Sequence, residues 1–309
     1  GSGCRGVDQS GSAMKGVFAH KFWVIAWPYI WMLVFFALPF GFILKISLAE
    51  SMIAMPPYSD IWSWSDGHFT WLGSLDNYRF LLEDDLYYLA YFNSLRLAAV
   101  STVLCLFVAY PMAYGISRME EPYRSLFLLL VILPSWTSFL IRIYAWIGLL
   151  KTNGLVNHLF MSVGLIDEPL TMLHSDFAIY LGIVYGYLPF MILPIYANLM
   201  KLDHSLIEAG YDLGARPWKV FLTIILPLSM SGVVAGCFLV FIPAVGEFII
   251  PELLGGPDTL MIGKVLWQEF FVNRDWPVAS AIAVVMLTFL IIPIYFYRRL
   301  EMKQLGVGE

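Results

Sequence analysis

Ser205-Leu-Ile-Glu-Ala-Gly-Tyr-Asp-Leu-Gly214 is a short charged passage between two long apolar runs, roughly 177–200 and 221–254. Each run exceeds the ~20 residues that cross a bilayer as a helix, so the passage between them lies at a membrane surface. Ser205 and Glu208 have the spacing of a capping box, Ser205 accepting from the Glu208 amide and Glu208 reaching back. Gly214 supplies the left-handed residue that ends a helix, and Pro217 can open the next one. Glu208 and Asp212 share a face. Ala209 and Gly210 lack bulk, so the helix can seat closely in a groove. The expectation is a discrete helix lying across the membrane surface and touching another protein.

The rest of the chain has a matching composition. Of its 309 residues, 60% are hydrophobic and 13% charged, where a soluble protein carries about a quarter charged residues. Six apolar runs predict spans at roughly 22–47, 88–117, 125–150, 177–200, 221–254 and 276–297. They lack the alternation of barrel strands, so helices are the structure that satisfies their backbone in lipid. The predicted fold is an all-α integral membrane protein of six transmembrane helices. It forms one transmembrane domain over residues 21–300, with a tail at 301–309. Residues 1–20 are expected to be a disordered tail or a cloning remnant. No cleavable signal peptide is expected, because the first apolar run is too long for one.

Lys and Arg set the orientation. Arg5, Lys15, Lys21, Arg118, Arg124, Lys201, Arg216, Lys219, Arg298, Arg299 and Lys303 fall on one side, and the other side holds Lys45, Arg79, Lys151, Lys264 and Arg274. Both termini and the 205–214 passage are therefore expected in the cytoplasm. The opposite face is acidic, with Asp60, Asp66, Asp76, Glu83, Asp167, Glu168, Asp258 and Asp275 among its residues. That charge suits a cationic solute or a basic partner, or it only solvates the loops. In the first outer loop Trp62, Trp64 and Trp71 read as an interfacial belt, and residues 75–82 as a short surface helix. Cys105 and Cys237 lie in apolar runs and read as small hydrophobes rather than as a disulfide framework.

Arg96, Arg142 and Glu247 fall within or at the edge of spans, where each costs on the order of 2.5–3.5 kcal/mol at a helix centre. Glu247 follows Pro243 and Gly246 and precedes Pro251, so the helix is interrupted there, and interrupted helices tend to line pathways. Its carboxylate is placed to meet a passing ammonium group. The competing readings are an ion pair with Arg142 or Arg96, or a site near the outer interface. Trp136, Tyr144, Tyr185 and Tyr187 stand beside Pro134 and Pro189, and aromatic faces attract ammonium ions by roughly 0.5–2 kcal/mol each. Packing within the bundle is the commoner explanation of such residues.

Gly263-Lys264-Val265 lacks the upstream glycine and the Ser or Thr of a P-loop, so the chain carries no such ATP site. No His/Cys cluster has metal spacing, and no nucleophile elbow occurs. No catalytic residue, cofactor or nucleic-acid partner is expected on this chain.

Glu208-Ala209-Gly210, three residues, Gly214, nine residues, then Ile224-x-Leu226-Pro227 resembles the EAA loop of ATP-binding-cassette importer permeases. Gly210 stands where the family usually has a second alanine. The resemblance implies that the loop over 201–220 holds a coupling helix between the fourth and fifth spans. Ser205, Glu208, Ala209, Gly210, Asp212 and Gly214 would meet the ATPase there. It also implies a second homologous permease subunit in a heterodimer, a dimer of ABC ATPase subunits that bind ATP and Mg, and a periplasmic binding protein. The site of action would be the bacterial inner membrane.

Residues 133–142, 241–256, 266–270 and 273–277 are further similar to the polyamine branch, nearest its putrescine permease subunits. That implies putrescine, with spermidine or a cationic amino acid as alternatives. A secondary transporter would call for inverted repeats and paired broken helices, and a membrane enzyme for a constellation of reactive groups. Neither pattern is present in the sequence.

Overall fold

The computed structural model describes residues 25–65, 68–257 and 259–304. The expected tail at 1–20 lies outside them, and so do Lys21, Asp66, Asp258 and residues 305–309 of the second tail. Six apolar segments stand where the sequence predicts them. The chain divides into two compact units, residues 1–80 with 274–309 and residues 81–273.

In the first unit, α1 (Ile25–Ser47) packs against α12 (Trp276–Gln304). The apolar half of α1 near its start, from Ile25 to Leu38, is exposed over most of its surface, which suits a helix facing lipid. Its far end is closed by α2 (Asp76–Glu83), the predicted surface helix. Asn77 Nδ2 donates to the Ser47 and Ala49 carbonyls at 2.9 and 2.8 Å, taking up acceptors that a helix end leaves free. Between them runs an antiparallel hairpin that the loop reading omits, β1 (Trp62–Ser65) and β2 (His68–Trp71), with Trp62 opposite Trp71. Trp62, Trp64 and Trp71 are exposed on one of its faces.

The second unit is built on α3 (Asp85–Ser117), α7 (Asp176–Leu199) and α9 (Pro217–Val245). Cys105, Ala109, Ala113, Met191, Ile192, Ile195, Val233 and Val240 form its buried core. Small residues let the helices approach. A Cβ on Gly232 would stand 2.6 Å from Asn198 Cβ and 2.8 Å from the Pro194 carbonyl oxygen. A hydrogen bond of 2.8 Å joins Tyr110 to Ser229 inside this core.

Two spans depart from the predicted limits. The third is not continuous. α4 (Tyr123–Trp136) ends in a tight turn at Leu133–Trp136, and α5 (Phe139–Leu150) restarts after Thr137 and Ser138. Pro134 has no N–H and cannot continue the helical ladder. Its carbonyl accepts instead from the Thr137 hydroxyl at 2.8 Å. A further short helix, α6 (Leu155–Ser162), follows Gly154. The fifth span starts at Pro217 and ends at Val245, nine residues short of Leu254.

Proline also shapes the helices it does not break. The stretches Leu33–Ala37 and Phe221–Ile225 are wide π turns, in which Leu38 N–H and Leu226 N–H reach back five residues to Leu33 and Phe221. Pro39 and Pro227 come directly after. The wider turn accommodates a ring that would otherwise meet the carbonyl four residues back.

Replacing Gly232 by Val forces the α7–α9 backbones apart. Overpacking of this kind costs typically ~1–3 kcal/mol. The variant is expected to unfold at lower temperature in detergent, as read by tryptophan fluorescence, while Val233→Leu changes it less.

Candidate functional site

The 205–214 passage forms α8 (His204–Asp212). The expected capping box does not form. Asp203, not Ser205, is the cap, because its backbone is extended and its carboxylate accepts the Ser205 N–H at 2.9 Å. Ser205 already lies inside the helix, so its hydroxyl is not needed there. That backbone hydrogen bond holds the Asp203 carboxyl below its ordinary value. The other end follows prediction. Gly214 has φ of 75°, Gly214 N–H donates to Tyr211 O at 2.8 Å, and Ala215 N–H to Gly210 O at 3.2 Å. This pair of bonds is a Schellman stop.

α8 has two faces. Ile207 and Gly210 are buried. A Cβ on Gly210 would lie 2.8 Å from Ile224 Cδ1 and 3.3 Å from Val220 Cγ2. Gly210 therefore seats the helix on its own chain, and the groove it fits is that of α9. Ser205, Glu208, Ala209 and Asp212 recur at three- and four-residue intervals on the opposite, exposed face. Leu206 and the highly exposed Leu213 flank them. Trp218, next along the chain, is exposed as well.

Glu247 stands at the break after α9. Only 8% of it is exposed. One carboxylate oxygen, Oε1, accepts the Ile249 N–H at 3.0 Å and so opens α10 (Ile249–Leu253). The other, Oε2, accepts a short hydrogen bond from the Tyr187 hydroxyl on α7. Among the described residues neither expected arginine pairs with it. Arg142 lies over the rings of Phe139 at 5.4 Å and Tyr185 at 6.0 Å, with its Nε buried and without a hydrogen-bond partner. Arg96 is exposed on α3.

The break is braced from behind by α11 (Ile262–Trp267). Gly263 is closely packed against the carbonyls of Gly246 and Glu247, and the Ser94 hydroxyl on α3 accepts the Ile262 N–H at 2.7 Å.

The four aromatic candidates do not converge. Tyr187 alone touches Glu247. Tyr185 points elsewhere, edge-on to Trp146 at 5.4 Å, and lines an apolar cavity of about 500 Å³ with Pro111, Phe127, Pro134 and Pro189. Trp136 is 74% and Tyr144 59% exposed. Sequence reasoning missed Asp203, whose signal was its place two residues before Ser205. It also missed Ser94, which nothing local marks.

Residues 11–304 match a family described as binding-protein-dependent transport system inner membrane component. The chain belongs to this family. It is an integral inner-membrane protein, the permease subunit of an ATP-binding-cassette importer, with six transmembrane helices. The spermidine/putrescine transport system permease protein PotB of Haemophilus influenzae is 40% identical over 226 residues, 73% of this chain and 79% of that protein. The protein of that name from Escherichia coli is 41% identical over 213 residues, 69% and 77% of the two chains. Among solved structures, a chain of a bacterial ABC transporter involved in alginate import superposes with a TM-score of 0.66 at 18% identity, covering 94% of this permease and 99% of that chain. At that identity the likeness speaks to fold alone.

Two outcomes follow for α8 of this permease. Gly214→Ala places a Cβ in the left-handed region at about 1 kcal/mol or more, and amide exchange over 209–215 is expected to quicken. Because the folded Asp203 value is depressed, its capping contribution is present above about pH 4. It is lost as pH falls through the folded value. Asp203→Asn, which caps without charge, is expected to remove that acid dependence of amide exchange in α8.

Proposed function

We propose that this permease imports polyamines, putrescine first among them, by alternating access driven from a separate ATPase. The observation that carries the substrate is the 40% identity, over 73% of this chain, to a permease named for spermidine and putrescine. The buried Glu247 carboxylate, which meets no cationic side chain among the described residues, fits a solute that is positively charged. Spermidine is the second reading, since the same relatives are named for it too.

In this proposal both termini and α8 face the cytoplasm, as the Lys and Arg distribution requires. The exposed face of Ser205, Glu208, Ala209 and Asp212 meets one ATPase subunit of a dimer that binds ATP and Mg. Gly210 and Gly214 act from within, one by seating α8 and the other by ending it. ATP hydrolysis belongs to that partner, and this chain transmits its closure through α8 to α7 and α9. A second, homologous permease completes the pathway, and a periplasmic binding protein delivers solute to the acidic face. Glu247 and Tyr187 lie on the solute path. Trp136, Tyr144 and Tyr185 would join it only where the second permease encloses them.

The coupling face is tested by copurification. Glu208→Ala is expected to lose most of the ATPase that accompanies the tagged permease while its own level in the membrane holds. Putrescine uptake should fall by at least tenfold. A variant that keeps both the ATPase and uptake would remove Glu208 from the interface. Uptake competition among putrescine, spermidine and arginine by the assembled complex tests the substrate.

A further inference from the structure

We infer that Tyr187 and Glu247 form a latch that a solute ammonium group opens, the cation binding the carboxylate in place of the tyrosine hydroxyl. The inference rests on the polyamine reading and gives it a site and a consequence.

The two carboxylate oxygens are not equivalent. Oε1 is committed to the Ile249 N–H, and releasing it would unwind the start of α10. Among the described residues Oε2 is held by the Tyr187 hydroxyl alone, which can swing away about its side-chain torsions without disturbing a helix. Both donors are neutral, so among the described residues the carboxylate has no countercharge. A charge kept from water without one is costly, and an arriving ammonium supplies it with a charge-assisted hydrogen bond.

Nearby cations do not compete for the place. Lys264 pairs with Glu252 at 3.1 Å, and Arg142 is held over Phe139 and Tyr185. The backbone under the carboxylate is fixed, because Gly263 packs on Gly246 and Glu247.

The latch also lies in a telling position. Tyr187 belongs to α7 and Glu247 stands just past the end of α9, and α7 and α9 are the two spans that α8 joins. Tyr187 stands roughly 18 Å along α7 from its α8 end, at 1.5 Å per residue. Solute arrival therefore frees one span from the other at a distance from α8, and the same hydrogen bond resists their separation when no solute is present.

The test uses the complete complex in proteoliposomes, with assembly of each variant checked by size exclusion. Radiolabelled putrescine uptake and the ATPase rate without solute are both read. Glu247→Gln keeps hydrogen bonds on both sides, its oxygen to Ile249 and its amide N–H to the Tyr187 oxygen, but loses the charge. Its KM is expected to rise at least tenfold with a smaller change in maximal rate, and Glu247→Asp to recover part of the loss. Tyr187→Phe removes the competitor and the latch together, so its KM is expected to fall several-fold and its solute-free ATPase rate to rise. An assembled Glu247→Gln complex with wild-type KM overturns the cation site. A Tyr187→Phe complex with wild-type KM and wild-type solute-free ATPase overturns the latch. A wild-type complex that carries neither putrescine nor spermidine overturns the polyamine reading and the cation site with it, while the Tyr187→Phe ATPase rate still decides the latch.

Discussion

Inside a bilayer the backbone has no water to turn to, so each interruption of a helix must find its hydrogen bonds within the protein. An unanswered peptide group in such a medium costs roughly 2–7 kcal/mol, depending on the reference state. The two breaks in the second unit both obey this constraint. At Pro134 the orphaned carbonyl receives the Thr137 hydroxyl. After Val245 the Ile249 N–H goes to Glu247 and, beyond α10, the Ile262 N–H goes to Ser94. At both breaks a polar side chain thus answers the irregular backbone.

The loop between the fourth and fifth spans shows how a spacing becomes geometry. Glu208-Ala209-Gly210 and Ile224-x-Leu226-Pro227 are separated in sequence but brought together where Gly210 packs against Ile224. Pro227 imposes the wide turn at Phe221–Ile225, in which Ile224 lies. Gly214 reverses the chain so that the two segments meet. With its inner face used in this way, α8 turns Ser205, Glu208, Ala209 and Asp212 outward on the opposite face.

Much of this was legible because the signals were local. Apolar length marks the spans, Gly214 and Pro217 mark the stop and restart, and Gly246 stands where a helix fails, whereas the break at Pro134 falls inside a run that reads as one continuous span. The misreadings have equally local causes. Ser205 and Asp203 are both competent caps two residues apart, and the choice rests on which backbone is extended. Residues 62–71 alternate aromatic and small polar side chains, a strand pattern. Three tryptophans in that stretch point equally to an interfacial belt, and the exposure of Trp62, Trp64 and Trp71 on one hairpin face satisfies both. The partner of Glu247 was not legible, because Tyr187 lies 60 residues away on another helix and nothing near either residue encodes the pairing. An arginine was the reasonable electrostatic choice, but aromatic rings hold Arg142 instead.

The way α7 and α9 are joined suggests where the second unit can yield. Along much of their length they interlock through backbone approach. A Cβ on Gly232 would meet Asn198 and Pro194, and one on Gly236 would lie 2.8 Å from Met191 Sδ. Close packing of this kind does not slide by small increments, since side chains would have to leave their rotamer wells. At Tyr187 and Glu247 the helices are held differently, by a hydrogen bond between a mobile side chain and a helix break. A typical protein hydrogen bond contributes about 0.5–1.5 kcal/mol net, and one to a charged group about 1.5–3. That is small beside the interlocked stretch and within reach of a bound cation. Over the interlocked stretch α7 and α9 are therefore one stiff pair, and the Tyr187–Glu247 hydrogen bond marks where that pair is held least firmly.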